Sequence, residues 1–143
     1  MSDWQLVDKC INDYATYADK RDAQAQRNLF TQDGKMVVYY PWGDPNKPDI
    51  VQGNAALLQT FENLKQYQHT LHVIGQKTIT LNQDSATAYV YTVAHHVTLN
   101  DDGSRTLMVA YLRYEDTLVK QDGVWLFSER VLYADFIENR PLN

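Results

Sequence analysis

The sequence predicts an α+β domain: a cone-shaped α+β barrel in which a curved, mostly antiparallel sheet wraps around three N-terminal helices. Three observations carry this prediction. The front of the chain places apolar residues at helical spacing, and from His69 onward four long stretches read as strands. Short turn-forming sequences divide those stretches, so they form a meander rather than alternating with helices. The 143 residues suit one core and one domain, residues 1–143.

Ser2 and Gln5 form an S-x-x-Q capping box, which starts a helix. Leu6, Cys10, Tyr14 and Tyr17 continue its apolar stripe, widened by Val7, Ile11 and Ala18, as far as Asp19-Lys20-Arg21. Asp22 caps a second, shorter helix through Leu29-Phe30, closed by Asp33-Gly34. Lys35 to Tyr40 is β-branched and aromatic and reads as a strand. Pro41, Gly43, Pro45 and Pro48 make the next segment a loop that carries Trp42. Asn54 is positioned to cap a third helix bearing Ala55, Leu57, Leu58, Phe61 and Leu64.

The meander comprises Leu71–Leu81, Ala86–Leu99, Arg105–Lys120 and Val124–Tyr133, broken at Asn82-Gln83-Asp84, Asn100 to Gly103 and Gln121-Asp122-Gly123. Strands this long twist and bulge, which curves the sheet and leaves one pocket at its mouth. Arg140 to Asn143 reads as a loose tail.

The charge balance excludes several partners. The net charge is -5, with no basic run longer than Lys20-Arg21, which argues against nucleic acid and anionic membranes. No apolar run approaches the roughly 20 residues needed to span a bilayer. Met1-Ser2-Asp3-Trp4 lacks the basic head and apolar stretch of a signal, and the lone Cys10 cannot form an intrachain disulfide. A reducing, cytoplasmic location follows as the expectation. The 10 tyrosines fit either a large core or pocket walls that hold an oxygenated organic ligand.

Asp19 closes the first helix, where the helix dipole disfavours a carboxylate. It lies four residues after Ala15, beside the apolar face, and is either a solvated turn residue or an acid at the pocket. His72, with Ile74 and then the Thr78 set as its strand-mates, is either a core histidine or a base. Were the two to meet, the carboxylate would fix the ring tautomer and leave the other nitrogen to accept a proton. His95 and His96 face opposite sides of a strand. His96 shares its side with Ala86, Ala88, Val90, Thr92 and Ala94, small residues that leave room for a ligand, so His96 is expected inside.

Arg130 shares a face with Val124, Leu126, Ser128 and Leu132, and is either a rim residue or an anion stabiliser. Tyr14, Tyr39 and Trp42 are pocket-wall candidates that ordinary aromatic packing explains as well. His69 and His72 have helical rather than strand spacing, and His95 and His96 diverge, so no metal site is expected. There is no phosphate-binding glycine loop, and Cys10 lies inert in an apolar stripe.

Taken together, YADKRD at residues 17–22, LFTQDGKMVVYY at 29–40, VQGNAALL at 51–58, LHVIG at 71–75 and DGVWLFSER at 122–130 resemble the SnoaL-like family of the nuclear-transport-factor-2-like superfamily. That group includes scytalone dehydratase, bile-acid dehydratase, hexachlorocyclohexane dehydrochlorinase and polyketide cyclases. The resemblance implies that Asp19 and His72 form a catalytic pair. It aligns His96, Arg130 and Tyr39 with substrate-binding positions, with Val38 the rival of Tyr39. One departure is Ala18, where scytalone dehydratase has a tyrosine before its aspartate.

The implied function is a cofactor-free lyase, a dehydratase or related eliminase or isomerase, acting on a small oxygenated hydrophobic molecule. The competing reading is a non-catalytic binding or association module of the same fold. A homo-oligomer, dimer or trimer, is expected from the aromatic outer strand positions such as Tyr89 and Tyr91 and from the resemblance.

Overall fold

In the computed structural model, which describes residues 1–143, helix α1 spans Asp3–Lys20 and begins as the capping box requires. The Gln5 N–H donates to Ser2 Oγ (3.2 Å) and the Ser2 N–H donates to Gln5 Oε1 (2.8 Å). Its buried stripe is Val7, Cys10, Ile11, Tyr14, Ala15 and Ala18, one face of a 3.6-residue repeat. Helix α2 spans Ala23–Arg27, strand β1 Phe30–Tyr39, β2 Asp49–Gln52 and α3 Asn54–Glu62. A 3-10 turn, Asn63–Gln66, leads into β3 (His69–Asn82), β4 (Ser85–Leu99), β5 (Arg105–Gln121) and β6 (Val124–Leu142).

The six strands form one sheet in the order β2-β1-β6-β5-β4-β3. All pairings are antiparallel except β1 with β6, which run parallel, Met36 opposite Arg130. This is the expected α+β architecture with a curved sheet and N-terminal helices, but the sheet stays open. Its edges are the short β2 and the long β3, and α1 lies along β3. A helix covering an edge strand protects it as closure would.

Local departures from the sequence expectation have identifiable causes. Helix α2 stops at Arg27 because the chain turns extended to pair Phe30 with Phe127, and the Arg27 guanidinium donates to the carbonyls of Phe30, Thr31 and Gln32. The first strand therefore starts at Phe30 and runs through Asp33-Gly34, where a helix end was expected. Gly53, at φ 90°, takes the cap position of α3 with no side-chain cap. Asn54, the expected cap, is instead the first helical residue and accepts from Arg27 Nε. Asp49–Gln52, just beyond the proline-rich loop, is a short strand that pairs with β1, Met36 opposite Val51. The C-terminal residues are not a loose tail: Pro141 and Leu142 pair with Thr106 and Arg105.

Bulges reset the facing of two strands. Register shifts after Thr117 on β5, and Phe127 and Arg130 both face inward with two residues between them. The expected set Val124, Leu126, Ser128 and Arg130 is thus broken at Ser128, and Arg130 joins Trp125 and Phe127 on the core side. A second shift lies between Ile74 and Lys77 on β3, so Ile79 rather than Thr78 continues the inner face of His72 and Ile74.

The centre of the sheet's concave side is filled. Tyr14 packs against Phe30 (6.2 Å between ring centroids), Phe61 (5.8 Å) and Phe127 (6.0 Å), with Val90, Ala110, Leu112 and Leu118 around them. The Phe61 and Phe127 rings meet Tyr14 edge to face, which adds stabilisation beyond the area they bury.

Candidate active site

Helix α1 ends in a Schellman motif: the Arg21 N–H donates to the Ala18 carbonyl (3.1 Å) and the Asp22 N–H to that of Tyr17 (3.0 Å). The left-handed position that such a motif needs is filled by Arg21 (φ 55°), where glycine is usual. The Arg21 guanidinium donates to the Asp19 carbonyl (2.6 Å) and to that of Tyr67 (3.4 Å), tying the helix end to the segment before β3. Asp19 is thereby held at a fixed place over the β3 edge.

There its carboxylate is fully engaged. Asp19 Oδ1 lies 2.7 Å from His72 Nδ1 and accepts from the Thr70 hydroxyl (3.0 Å), while Oδ2 accepts from the His72 backbone N–H (2.9 Å). That N–H is free because β3 is an edge strand with β4 on one side only. Burial raises the Asp19 carboxyl, but the His72 ring, the His72 N–H and Thr70 together bring it below the ordinary aspartate value. Asp19 is acceptor-only, so in the neutral His72 ring Nδ1 carries the proton and Nε2 keeps its lone pair. The His72 side chain is 8% exposed and that of Asp19 23%.

His96 faces the same side. It is opposite Thr70 in the strand register, its ring lies 5.8 Å from that of His72 in an edge-on arrangement, and Tyr67 covers it at 4.7 Å. Burial, reinforced by His72, pushes His96 down to about 4, so it is a neutral imidazole at neutral pH. Its Nδ1 is buried without a hydrogen-bond partner. His95 faces the other side of the sheet, its Nδ1 3.1 Å from the Leu71 carbonyl.

The remaining sequence candidates are not part of this group. Arg130 is 1% exposed and makes a two-pronged ion pair with Asp116, stacked over Tyr114 (3.8 Å), Tyr14 (4.3 Å) and Phe127 (4.5 Å). Neither a rim residue nor a free anion stabiliser, it is a core cation already neutralised. Tyr14 is a core ring whose hydroxyl reaches Met36 Sδ (3.5 Å). Tyr39 lies on the opposite face, stacked on Tyr133 at 5.0 Å, while Val38 packs inward. Trp42 is 72% exposed in its loop and stacks on Tyr40. Sequence reasoning passed over Thr70 and Tyr67. The two-residue step from Thr70 to His72 was a legible signal of a shared face; Tyr67, after an irregular turn, carried none.

Three concavities, of about 370, 300 and 240 Å³, lie away from Asp19 and His72. The largest follows Thr78, Thr80, Thr87, Tyr89, Glu115 and Glu129 on the outer face. No three His, Cys, Asp or Glu side chains converge in a way that could hold a metal ion.

The model of the SnoaL-like domain family matches residues 3–131. The chain belongs to the SnoaL-like family. No curated protein matches the sequence significantly. Among solved structures, a Novosphingobium aromaticivorans protein provisionally named a scytalone dehydratase superposes with a TM-score of 0.80 at 23% identity, over 98% of this chain and 89% of that one. Hexachlorocyclohexane dehydrochlorinase LinA-type3 from Novosphingobium barchaimii superposes with a TM-score of 0.73 at 16% identity, over 96% and 88%. A nuclear-transport-factor-2-like protein with a cystatin-like fold, also from Novosphingobium aromaticivorans, gives 0.71 at 23%, over 92% and 81%. At these identities the likeness is one of fold. No helix of this chain is long and apolar enough to cross a membrane.

Proposed function

We propose that this SnoaL-like protein is a cofactor-free lyase, a dehydratase or related eliminase or isomerase, acting on a small oxygenated hydrophobic molecule. The observation that carries the reading is the 2.7 Å contact between His72 Nδ1 and Asp19 Oδ1. His72 Nε2 takes a proton from a carbon of the substrate, and the C–H electron pair becomes the new double bond. Asp19 orients the ring and stabilises the imidazolium. In a dehydration the same proton returns to the departing hydroxyl, which leaves as water, so no net acid is consumed. His96, neutral and with Nδ1 unpaired, supplies a hydrogen bond to the leaving group or to developing negative charge. A protein provisionally named a dehydratase and a dehydrochlorinase, both among the proteins of the same fold, support the reaction class.

The competing reading, a non-catalytic binding or association module, draws on the aromatic plug in the concave side and on concavities that lie elsewhere. One experiment separates the two. Incubating the purified protein in D₂O with a panel of cyclic alcohols, ketones and alkyl halides, and following products by mass spectrometry, should reveal elimination or deuterium incorporation that His72→Ala abolishes. Absence of turnover across the panel, or turnover unchanged in His72→Ala, would favour the module. A dimer or trimer is also proposed, since Leu71, Val73, Tyr91 and Phe136 are exposed on the outer side of the sheet.

A further inference from the structure

We propose that Thr70 is a positioning residue: its hydroxyl, acting with the His72 backbone N–H, locks the Asp19 carboxylate in the orientation that sets the His72 ring. The inference rests on reading Asp19 and His72 as the acid–base pair. Thr70 is 8% exposed and sits opposite His96, on the same face as His72. A threonine hydroxyl has one proton to give, and this one goes to Asp19 Oδ1 at 3.0 Å, the oxygen that also faces His72 Nδ1.

The geometry makes this bond decisive for orientation. A carboxylate at the end of a helix turns freely about its last torsion unless both oxygens are held. Here Oδ2 is held by one backbone donor and Oδ1 by Thr70 and the ring. Remove Thr70, and Oδ2 keeps its backbone donor but Oδ1 is left with the imidazole alone, so the oxygen that sets the ring loses its one fixed partner and the ring is free to adjust with it. Other charged or titratable groups offer no substitute. The Arg21 guanidinium is spent on the backbone carbonyls of Asp19 and Tyr67, and His96 makes no hydrogen bond to Asp19. Serine could serve in Thr70's place, and valine, of the same shape, could not.

The test needs no substrate, so it stands apart from the turnover screen. Imidazole ¹⁵N and carboxyl ¹³C spectra would be recorded against pH for the wild type, Thr70→Val, Thr70→Ala and Thr70→Ser. In the wild type, neutral His72 should show one protonated nitrogen and one bare nitrogen. Thr70→Val should raise the Asp19 titration midpoint by about half to one pH unit, the worth of one neutral donor to a carboxylate. The His72 nitrogens should then drift toward averaged, mixed-tautomer signals, and Thr70→Ser should restore both readouts. If valine does not fold here, alanine removes the same hydroxyl with less bulk and is read in the same way. A folded hydroxyl-free variant with wild-type Asp19 titration and His72 tautomer would overturn the proposal, as would a serine variant that behaves like valine. Failure of the lyase reading would appear only in the turnover screen.

Discussion

Arg130 and Asp116 meet in the middle of the core, Nε to Oδ1 at 2.7 Å and Nη2 to Oδ2 at 3.0 Å, with their side chains 2% and 0% exposed. The two occupy neighbouring inner positions on β6 and β5 and are directly opposed in the register. A bidentate fork satisfies the carboxylate, and three aromatic rings take up the faces of the guanidinium. Their role here is architectural.

That gives the first expectation. Asp116→Ala or Arg130→Met alone strands a buried charge and should cost about 3–5 kcal/mol in urea unfolding. Replacing both with apolar residues of similar volume should cost much less than the sum of the singles. Additive losses would mean that the charges do not act as a pair.

His96 sets an acid limit. Its ordinary value of 6.5 is pushed down to about 4 in the folded state, so between these values the unfolded chain binds a proton that the folded chain does not. Stability should therefore fall as the pH drops from 6.5 to about 4, by on the order of 3 kcal/mol at most. Asp19 adds its loss only at lower pH, because its folded value lies below 3.8. Denaturant midpoints measured across this range should flatten in His96→Asn; an unchanged slope would place the proton uptake elsewhere. The titratable groups on the side of His96 are His72, Asp19 and Tyr67, and the charges of Arg21 and of His95, across the sheet, also act on it.

Asp19→Asn and His72→Ala should each lower turnover on the order of 10²–10⁴-fold, and the double variant should be little worse than either. Their stabilities should differ. An Asn amide set against the His72 N–H loses an acceptor where donors converge, which should cost about 1–3 kcal/mol. His72→Ala leaves that backbone bond in place and should cost less. Thermal melts run beside turnover assays check both halves, and equal stabilities would contradict the edge-strand role given to Asp19.

The outer side of the sheet provides a fourth check. Val73→Glu and Phe136→Glu introduce charges at exposed apolar positions, 48% and 59% accessible. If copies associate through this surface, both should shift the sedimentation coefficient toward the monomer at unchanged far-UV signal. A wild-type protein that sediments as a monomer would remove the oligomer proposal.

What the sequence by itself determined was the set of elements whose signals are local. The capping box at Ser2, the stripe from Val7 to Ala18 and the alternation from Ala86 to His96 each reflect a repeat within one segment, so helix, strand and the inward facing of His96 were legible. Asp19 and His72 were legible as candidates through family resemblance. Their contact was not: 53 residues separate them, and only the packing of α1 along an unpaired strand edge brings them together. Bulges escaped for the same reason. A period of two cannot count the extra residue near Ser128, because that residue is defined by the register of the neighbouring strand. Arg130 therefore read as a rim residue or an anion stabiliser, because its partner Asp116 lies on the neighbouring strand; Thr70's bond to Asp19 and the outward turn of Tyr39 were illegible in the same way. Each is a relation between elements distant in sequence, fixed by tertiary packing, and no single segment carries it.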